Sequence, residues 1–254
     1  MHPWLIAMPP AAVAAAAGVV VYGAVHPRSQ LFGSTICRTN SPRKLALTFD
    51  DGPNPAITPK LLELLDRYKA RATFFIIGKF ARECPELLKE TAARGHVIGN
   101  HTDAHPNLFW LNADKITIEL RCCNFSIKAA TGAPPKWFRP PFGFRNPWVV
   151  RTARELNQRV VMWTLLPGDW RATSSEWLIP RFEPIASRAK RNLSSSGTPT
   201  ASTGDILCLH DGGHRQLNAD RLPTLAALEH WMPRWRDLGL EFVTIDEAVQ
   251  TPAP

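Results

Sequence analysis

The chain has 254 residues, 44% hydrophobic and 20% charged, which is enough apolar material for one large α/β domain or two small ones and too much for global disorder. Thirty Lys and Arg against 22 Asp and Glu leave a formal charge of +8, so the surface should draw anionic partners. The basic residues are scattered and form no zinc-finger, basic-zipper or RNP signature, which argues against a nucleic-acid partner.

Residues 5–25, LIAMPPAAVAAAAGVVVYGAV, carry no charge and match the ~20 apolar residues that a membrane-spanning helix needs. Residues 1–42 are therefore expected to be an export signal or membrane anchor plus linker, placing the protein in the cell envelope or outside the cell. No Lys or Arg precedes the segment, Pro9 and Pro10 interrupt it, and only a weak small-residue cleavage site lies near Gly23 and Ala24. Cleavage and retention both stay open on these signals.

Beyond residue 42, short β-type runs alternate with stretches of helical period. The predicted strands are 45–49, 72–77, 96–99, 137–139, 160–164, 206–209 and 241–244. After the first strand, Ile57, Leu61, Leu64, Leu65 and Tyr68 share one helix face. Further helices are predicted at 85–94, 113–130, 147–156, 175–190 and 223–238, and a polar loop at 194–204. Strand and helix alternating this often imply parallel strands with right-handed crossovers. The fold class expected is α/β, a deformed or incomplete (β/α) barrel forming a single catalytic domain over 43–250. Five cysteines form neither a C-x-x-C pair nor an even disulfide framework and read as idle thiols.

In such folds the active site gathers at the carboxyl ends of the strands. Asp50 and Asp51 follow the first predicted strand, His101 and His105 the third, Arg139 to Gly143 the fourth, Asp169 and Trp170 the fifth, and His210 and Asp211 the sixth. Two histidines four apart can offer imidazole nitrogens to one ion. A carboxylate added to them leaves coordination positions open for water and substrate. If Asp51 turns toward the metal, Asp50 is left beside the open positions, where it can take a proton from water.

The strings Thr48-Phe49-Asp50-Asp51-Gly52, H-T-x-x-H from His101 to His105, R-P-P-F-G from Arg139 to Gly143, Asp169-Trp170 and L-C-L-H ending at His210 resemble the five ordered motifs of the polysaccharide deacetylases, carbohydrate esterase family 4. The resemblance covers roughly residues 43 to 248. It implies a metal-dependent hydrolase removing N-acetyl groups from N-acetylglucosamine glycans, peptidoglycan or chitin-like oligomers. Asp51, His101 and His105 would bind the metal, usually zinc, with cobalt, nickel or manganese as alternatives. Asp50 would be the general base on metal-activated water, oriented by Arg139. His210 would be the general acid, tuned by Asp169, and the backbone N–H of Phe142 would bind the oxyanion. Trp170 and Pro141 are candidates for the substrate wall. The only partner implied besides membrane contact through residues 5–25 is an acetylated glycan; the oligomeric state stays open.

Two positions depart from the family pattern. Leu166 stands where D-x-x-D-W commonly begins with Asp, and Phe142 where Tyr is common. Leu166 keeps in view a glycan-binding relative without turnover, and the family resemblance itself keeps in view O-acetyl ester hydrolysis on a xylan-type polymer. A non-haem iron oxygenase could use the same ligand trio, but the α/β pattern argues against it.

Overall fold

The computed structural model describes residues 10–194 and 202–250. Residues 5–9 of the apolar segment and most of the polar loop expected at 194–204 lie outside them. In chain order the elements are α1 (Pro10–Val25), β1 (Thr35–Ile36), β2 (Lys44–Gly52), α2 (Thr58–Arg67), β3 (Thr73–Ile76), α3 (Gly78–Glu83), α4 (Pro85–Ala93), β4 (Val97–Asn100) and α5 (Ala113–Thr131). There follow β5 (Trp137–Phe138), α6 (Pro147–Glu155), β6 (Arg159–Val161), α7 (Ser175–Leu178), α8 (Glu183–Ser194), β7 (Asp205–His210), α9 (Leu222–Asp237), β8 (Glu241–Val243) and α10 (Ile245–Val249).

Every strand pairing is parallel, in the order β1-β6-β5-β4-β3-β2-β7, with β8 added to the start of β2. The chain leaving β6 returns to β7, where Thr164 N–H donates to the Ile206 carbonyl (2.9 Å) and Cys208 N–H to that of Leu165 (3.0 Å). That contact curls the sheet into the incomplete barrel expected from the sequence.

β2 is buried from Leu45 to Gly52, as a parallel strand covered on both faces must be. Its side chains alternate between two environments. Leu45, Leu47 and Phe49 pack outward with Leu61, Leu65, Leu228 and Trp235 of α2 and α9. Ala46 faces a second core with Phe75, Phe138, Val160, Ile206 and Cys208. Position 50 shares the parity of Ala46, so an Asp at the end of this strand enters the barrel mouth.

The predicted helix at 175–190 is instead α7, a 3-10 turn over Ile179–Phe182, and α8. Pro180 and Pro184 explain the division, because each lacks the N–H that a continuous helix would use and fits only a first turn. The strand at 160–164 ends at Val161, and its last residues serve the closure onto β7.

α1 is apolar around its circumference, and Val13, Val19, Val21 and Tyr22 are exposed. Among the described residues no helix is long and apolar enough to cross a membrane. The segment after α1 is fastened to the domain. Arg145, buried, donates to the His26 carbonyl and to that of Ser29 (3.1 Å), while its own N–H donates to the Ala24 carbonyl (3.0 Å). Gln30 brackets Thr35 by bonds of 2.7 and 3.0 Å, and Thr35–Ile36 then join β6. The sheet therefore takes in residues upstream of 43.

Candidate active site

The ends of β2, β4, β5 and β7 converge on an open groove of about 910 Å³ lined by Asp50, Asp51, His101, His105, His210 and neighbouring aromatic residues. Asp50 is 3% exposed. Its Oδ1 accepts from Arg139 Nη1 at 2.7 Å, and its Oδ2 accepts from the Cys208 thiol at 3.3 Å. Burial alone would raise its pKa, but Arg139, His101 and His210 outweigh burial and hold the carboxyl below its ordinary range. Arg139 is fully buried. Its guanidinium also donates to Thr48 Oγ1 (2.7 Å) and to the Val161 and Met162 carbonyls (both 3.3 Å), and lies 4.2 Å from the centre of the Phe75 ring. So many partners fix both ends of the pair.

Asp51 has φ 71°, which brings its carboxylate into the same groove as Asp50, whose Oδ2 lies 3.9 Å from His101 Nε2. The two histidines sit in a tight turn rather than on a helix. Thr102 and His105 both have positive φ (67° and 61°), and His105 N–H donates to Thr102 Oγ1 (3.0 Å). His101 Nδ1 lies 2.7 Å from the Arg139 carbonyl oxygen. A carbonyl only accepts, so Nδ1 carries a hydrogen and Nε2 is the nitrogen turned toward Asp51. Asp51 Oδ1 lies 3.5 Å from His101 Nε2 and 3.2 Å from His105 Nε2. Burial, with the neighbouring histidines, pushes the His105 pKa far down, so its imidazole is neutral. Asp51 Oδ1 is then a buried oxygen without a hydrogen-bond donor. A carboxylate oxygen and imidazole nitrogens facing one point fit a divalent cation.

His210 faces the cluster from β7. Its Nδ1 lies 2.8 Å from Asp169 Oδ1, its backbone N–H donates to Asp169 Oδ2 (2.8 Å), and Thr224 Oγ1 donates to the same oxygen (3.1 Å). Burial works against the imidazolium, but the Asp169 carboxylate overcomes it and, with Asp51 and Asp50, brings the His210 pKa up to about 9. Asp211 is pushed the same way by burial, to about 7. Its carboxyl accepts from Thr58 Oγ1 (2.5 Å) and its carbonyl from Asn54 Nδ2 (2.9 Å), so it ties the turn after β7 to the turn after β2.

Phe142 occupies a 3-10 turn over Pro141–Gly143 with φ 58°, a costly conformation for a non-glycine residue. Gly143 lets the turn close, because a Cβ there would lie 2.5 Å from Trp163 and its own φ is +71°. The Phe142 ring is half exposed in the groove and meets His105 edge-on at 4.6 Å. Trp170 lines the groove 5.1 Å from His210, and Leu166 and Trp163 line it too. Pro140 and Pro141 are both buried, and of the two it is Pro140 that lines the groove. Trp137 is buried with its indole N–H on Asp246 Oδ1 (2.5 Å), and Trp110 is exposed but does not line the groove.

Two residues enter that the sequence did not assign. Cys208 touches the Asp50 carboxylate, and His214 brings a third imidazole to Asp51, at 3.9 Å from Oδ2. The period of two in β7 places 206, 208 and 210 on the inner face, a usable signal for Cys208. No sequence pattern gives the register of β7 against β2 that His214 depends on.

The polysaccharide deacetylase family model matches residues 38–161. A peptidoglycan-N-acetylglucosamine deacetylase of Bacillus cereus is 37% identical over 214 residues, 83% of this chain and 90% of that protein. A chitooligosaccharide deacetylase of Azorhizobium caulinodans is 32% identical over 79% of this chain and 92% of that one. The crystal structure of a peptidoglycan N-acetylglucosamine deacetylase in complex with 4-naphthalen-1-yl-N-oxidanyl-benzamide superposes with a TM-score of 0.72 at 29% identity, covering 85% of this chain and 93% of that one. The chain belongs to the polysaccharide deacetylase family, and its half-barrel is that family's fold. It is a hydrolase of carbon–nitrogen bonds other than peptide bonds.

Proposed function

We propose that the protein removes N-acetyl groups from N-acetylglucosamine-containing glycans, with peptidoglycan as the preferred class and chitin-like oligomers as the second. The observation that carries this reading is the convergence on one groove of an Arg-held carboxylate, an Asp/His/His cation cluster and an Asp-held histidine. Arg171, Arg215 and Arg221 line the same groove, and these cations favour a carboxylate-bearing polymer over a neutral one.

Asp51, His101 and His105 would hold the metal, most simply zinc. When bound it supplies Lewis acidity to an acetamide carbonyl that is otherwise a poor electrophile. Asp50, ionised and fixed by Arg139, takes the proton of the attacking water. The Phe142 N–H donates to the oxyanion, an interaction whose loss in other enzymes costs about 3 to 4 kcal/mol. His210 gives its Nε2 proton to the leaving nitrogen, without which an amide anion would have to depart. Trp170 and Pro140 form part of the wall around the sugar.

The test is acetate release from peptidoglycan, chitin oligomers, N-acetylated exopolysaccharide and acetylxylan, using metal-stripped and zinc-reconstituted protein. Expected results are no release without metal, recovery with zinc, and peptidoglycan ahead of chitin oligomers by a margin that shrinks as salt is added. Release from acetylxylan alone would replace this reading with an ester hydrolase, and binding without release would replace it with a lectin-like relative.

Residues 43–250 carry the catalytic side chains in this reading, residues 26–42 pack onto that domain through β1, and the apolar helix before them holds the protein at the cell envelope. Deleting residues 1–25 should move the protein from the membrane pellet to the soluble fraction. Acetate release from soluble oligomers should stay unchanged. An unchanged distribution would remove the anchor.

A further inference from the structure

The turn after β7 is pressed onto the end of β2. Asp211 and Gly212 N–H both point at the Asp50 carbonyl (3.3 and 3.4 Å). A Cβ on Gly212 would lie 2.0 Å from the Asp51 carbonyl oxygen, so only glycine permits this approach. Gln216 N–H closes the turn on the Gly213 carbonyl (3.0 Å), and Lys79 Nζ donates to the His214 carbonyl (2.9 Å). Both ends of the turn are therefore fixed, and the one side chain they carry over Asp51 is an imidazole.

That imidazole sits within reach of the cation cluster. Donor atoms of Asp51, His105 and His214 all lie within 4.8 Å of one another. His214 Nδ1 is 3.9 Å from Asp51 Oδ2, and its ring stacks on His105 with centroids 4.5 Å apart and planes 15° from parallel. Ligands on one zinc at about 2.0–2.1 Å are separated by roughly 3.3 Å along a tetrahedral edge. The two contacts to Asp51 Oδ1, 3.2 Å from His105 and 3.5 Å from His101, lie at that edge, and His214 Nδ1 stands 3.9 Å from the other oxygen, Oδ2. A metal lies near the plane of each imidazole that binds it, so His214 reaches that edge by turning its partly exposed ring out of the stack on His105.

We infer that His214 is a fourth protein ligand to the metal, occupying in the substrate-free enzyme a position that the three-ligand set would leave to solvent. His214 is also the natural ligand to yield. Its side chain is 35% exposed, against 3% for His101 and 4% for His105. Substrate entering the groove would displace it, so the fourth ligand holds the ion in the resting state and opens the site on demand.

The inference rests on the metal reading above, and the experiment separates the two. Zinc affinity is measured on purified protein by competition with a chromophoric chelator, and the visible spectrum of the cobalt-loaded protein is recorded. His214→Ala should lose about 10-fold or more in zinc affinity, given that loss of a group merely supporting a ligand already costs about 10–100-fold. Its cobalt band should shift and change intensity. His214→Phe keeps a ring to stack on His105 but offers no donor, so it should behave as the Ala variant does. Equal melting temperatures of the metal-free proteins would show that the turn is intact. If Asp51→Asn and His101→Ala lose zinc while both His214 variants keep wild-type affinity and spectrum, the fourth ligand is refuted and the trio stands. Affinity restored by Phe would likewise overturn it in favour of stacking. Wild-type protein binding zinc no better than Asp51→Asn would refute both.

Discussion

Asp50→Asn should lower acetate release by about 10²–10⁴-fold, the range by which a positioned general base accelerates a reaction, while zinc binding persists. The substitution keeps an oxygen for Arg139 Nη1, now 2.7 Å from Oδ1, and removes the charge that makes the group a proton acceptor. Asp51 and the two histidines are untouched, so chelator competition should give an affinity near wild type. A fold cost accompanies the kinetic one. Breaking a buried ion pair from one side costs about 3–5 kcal/mol when the remaining charge is stranded. Arg139 keeps Thr48 and two carbonyls as acceptors, so the loss should fall below that range. The sign of its pH dependence follows from Asp50's lowered pKa. Stability from the ionised carboxylate is present above its unfolded value of 3.8 and lost as pH falls through the lower folded value. Wild type and variant should therefore converge in melting temperature only in strong acid. Wild-type acetate release by Asp50→Asn would sink the assignment.

The parts of this molecule written in local sequence were readable before the fold. The run Leu45 to Phe49 is apolar because β2 is covered on both faces, and the acidic pair after it marks the strand's carboxyl end. Helices with an uninterrupted 3.6-residue period, such as α5 and α9, begin and end within a residue or so of where that period does. What escaped depends on contacts between distant segments. β1 is two residues long, too short for any period, and is a strand because Gln30 and β6 hold it there. α3 begins on Gly78, whose N–H is taken by the Thr102 carbonyl at 3.0 Å, and a helix of six residues has little pattern of its own. The period of β7 points Cys208 inward, but His214 gains its neighbours from the pairing of β7 with β2, which no window of sequence contains.

Asp169→Asn should move the alkaline limb of the pH–rate profile downward from about 9, the value to which the Asp169 carboxylate raises His210 against burial. In the proposed mechanism the leaving nitrogen takes its proton from His210, so turnover should persist while the imidazole is charged and fade as pH rises through its pKa. An amide at 169 can still accept from Nδ1–H but cannot neutralise an imidazolium. Burial then prevails, and loss of an opposite charge at this distance is worth about 1–3 pKa units. At pH 8 a drop from about 9 to about 6 takes the protonated fraction from ~0.9 to ~0.01, a fall of roughly 100-fold. Asp51 also contributes to the high value, but a cation on Asp51 would offset that share and leave Asp169 as the main partner. Activity of the variant should therefore recover on acidification toward pH 6, where Asp50 is still ionised, which a purely structural role for Asp169 would not produce. Stability should follow the same sign. The His210–Asp169 contribution is complete below the unfolded histidine value of 6.5 and lost as pH rises through about 9. The melting-temperature gap between wild type and Asp169→Asn should accordingly be widest below pH 6.5 and close above pH 9, and an alkaline limb left at about 9 in the variant would exclude Asp169 as the group that sets the acid.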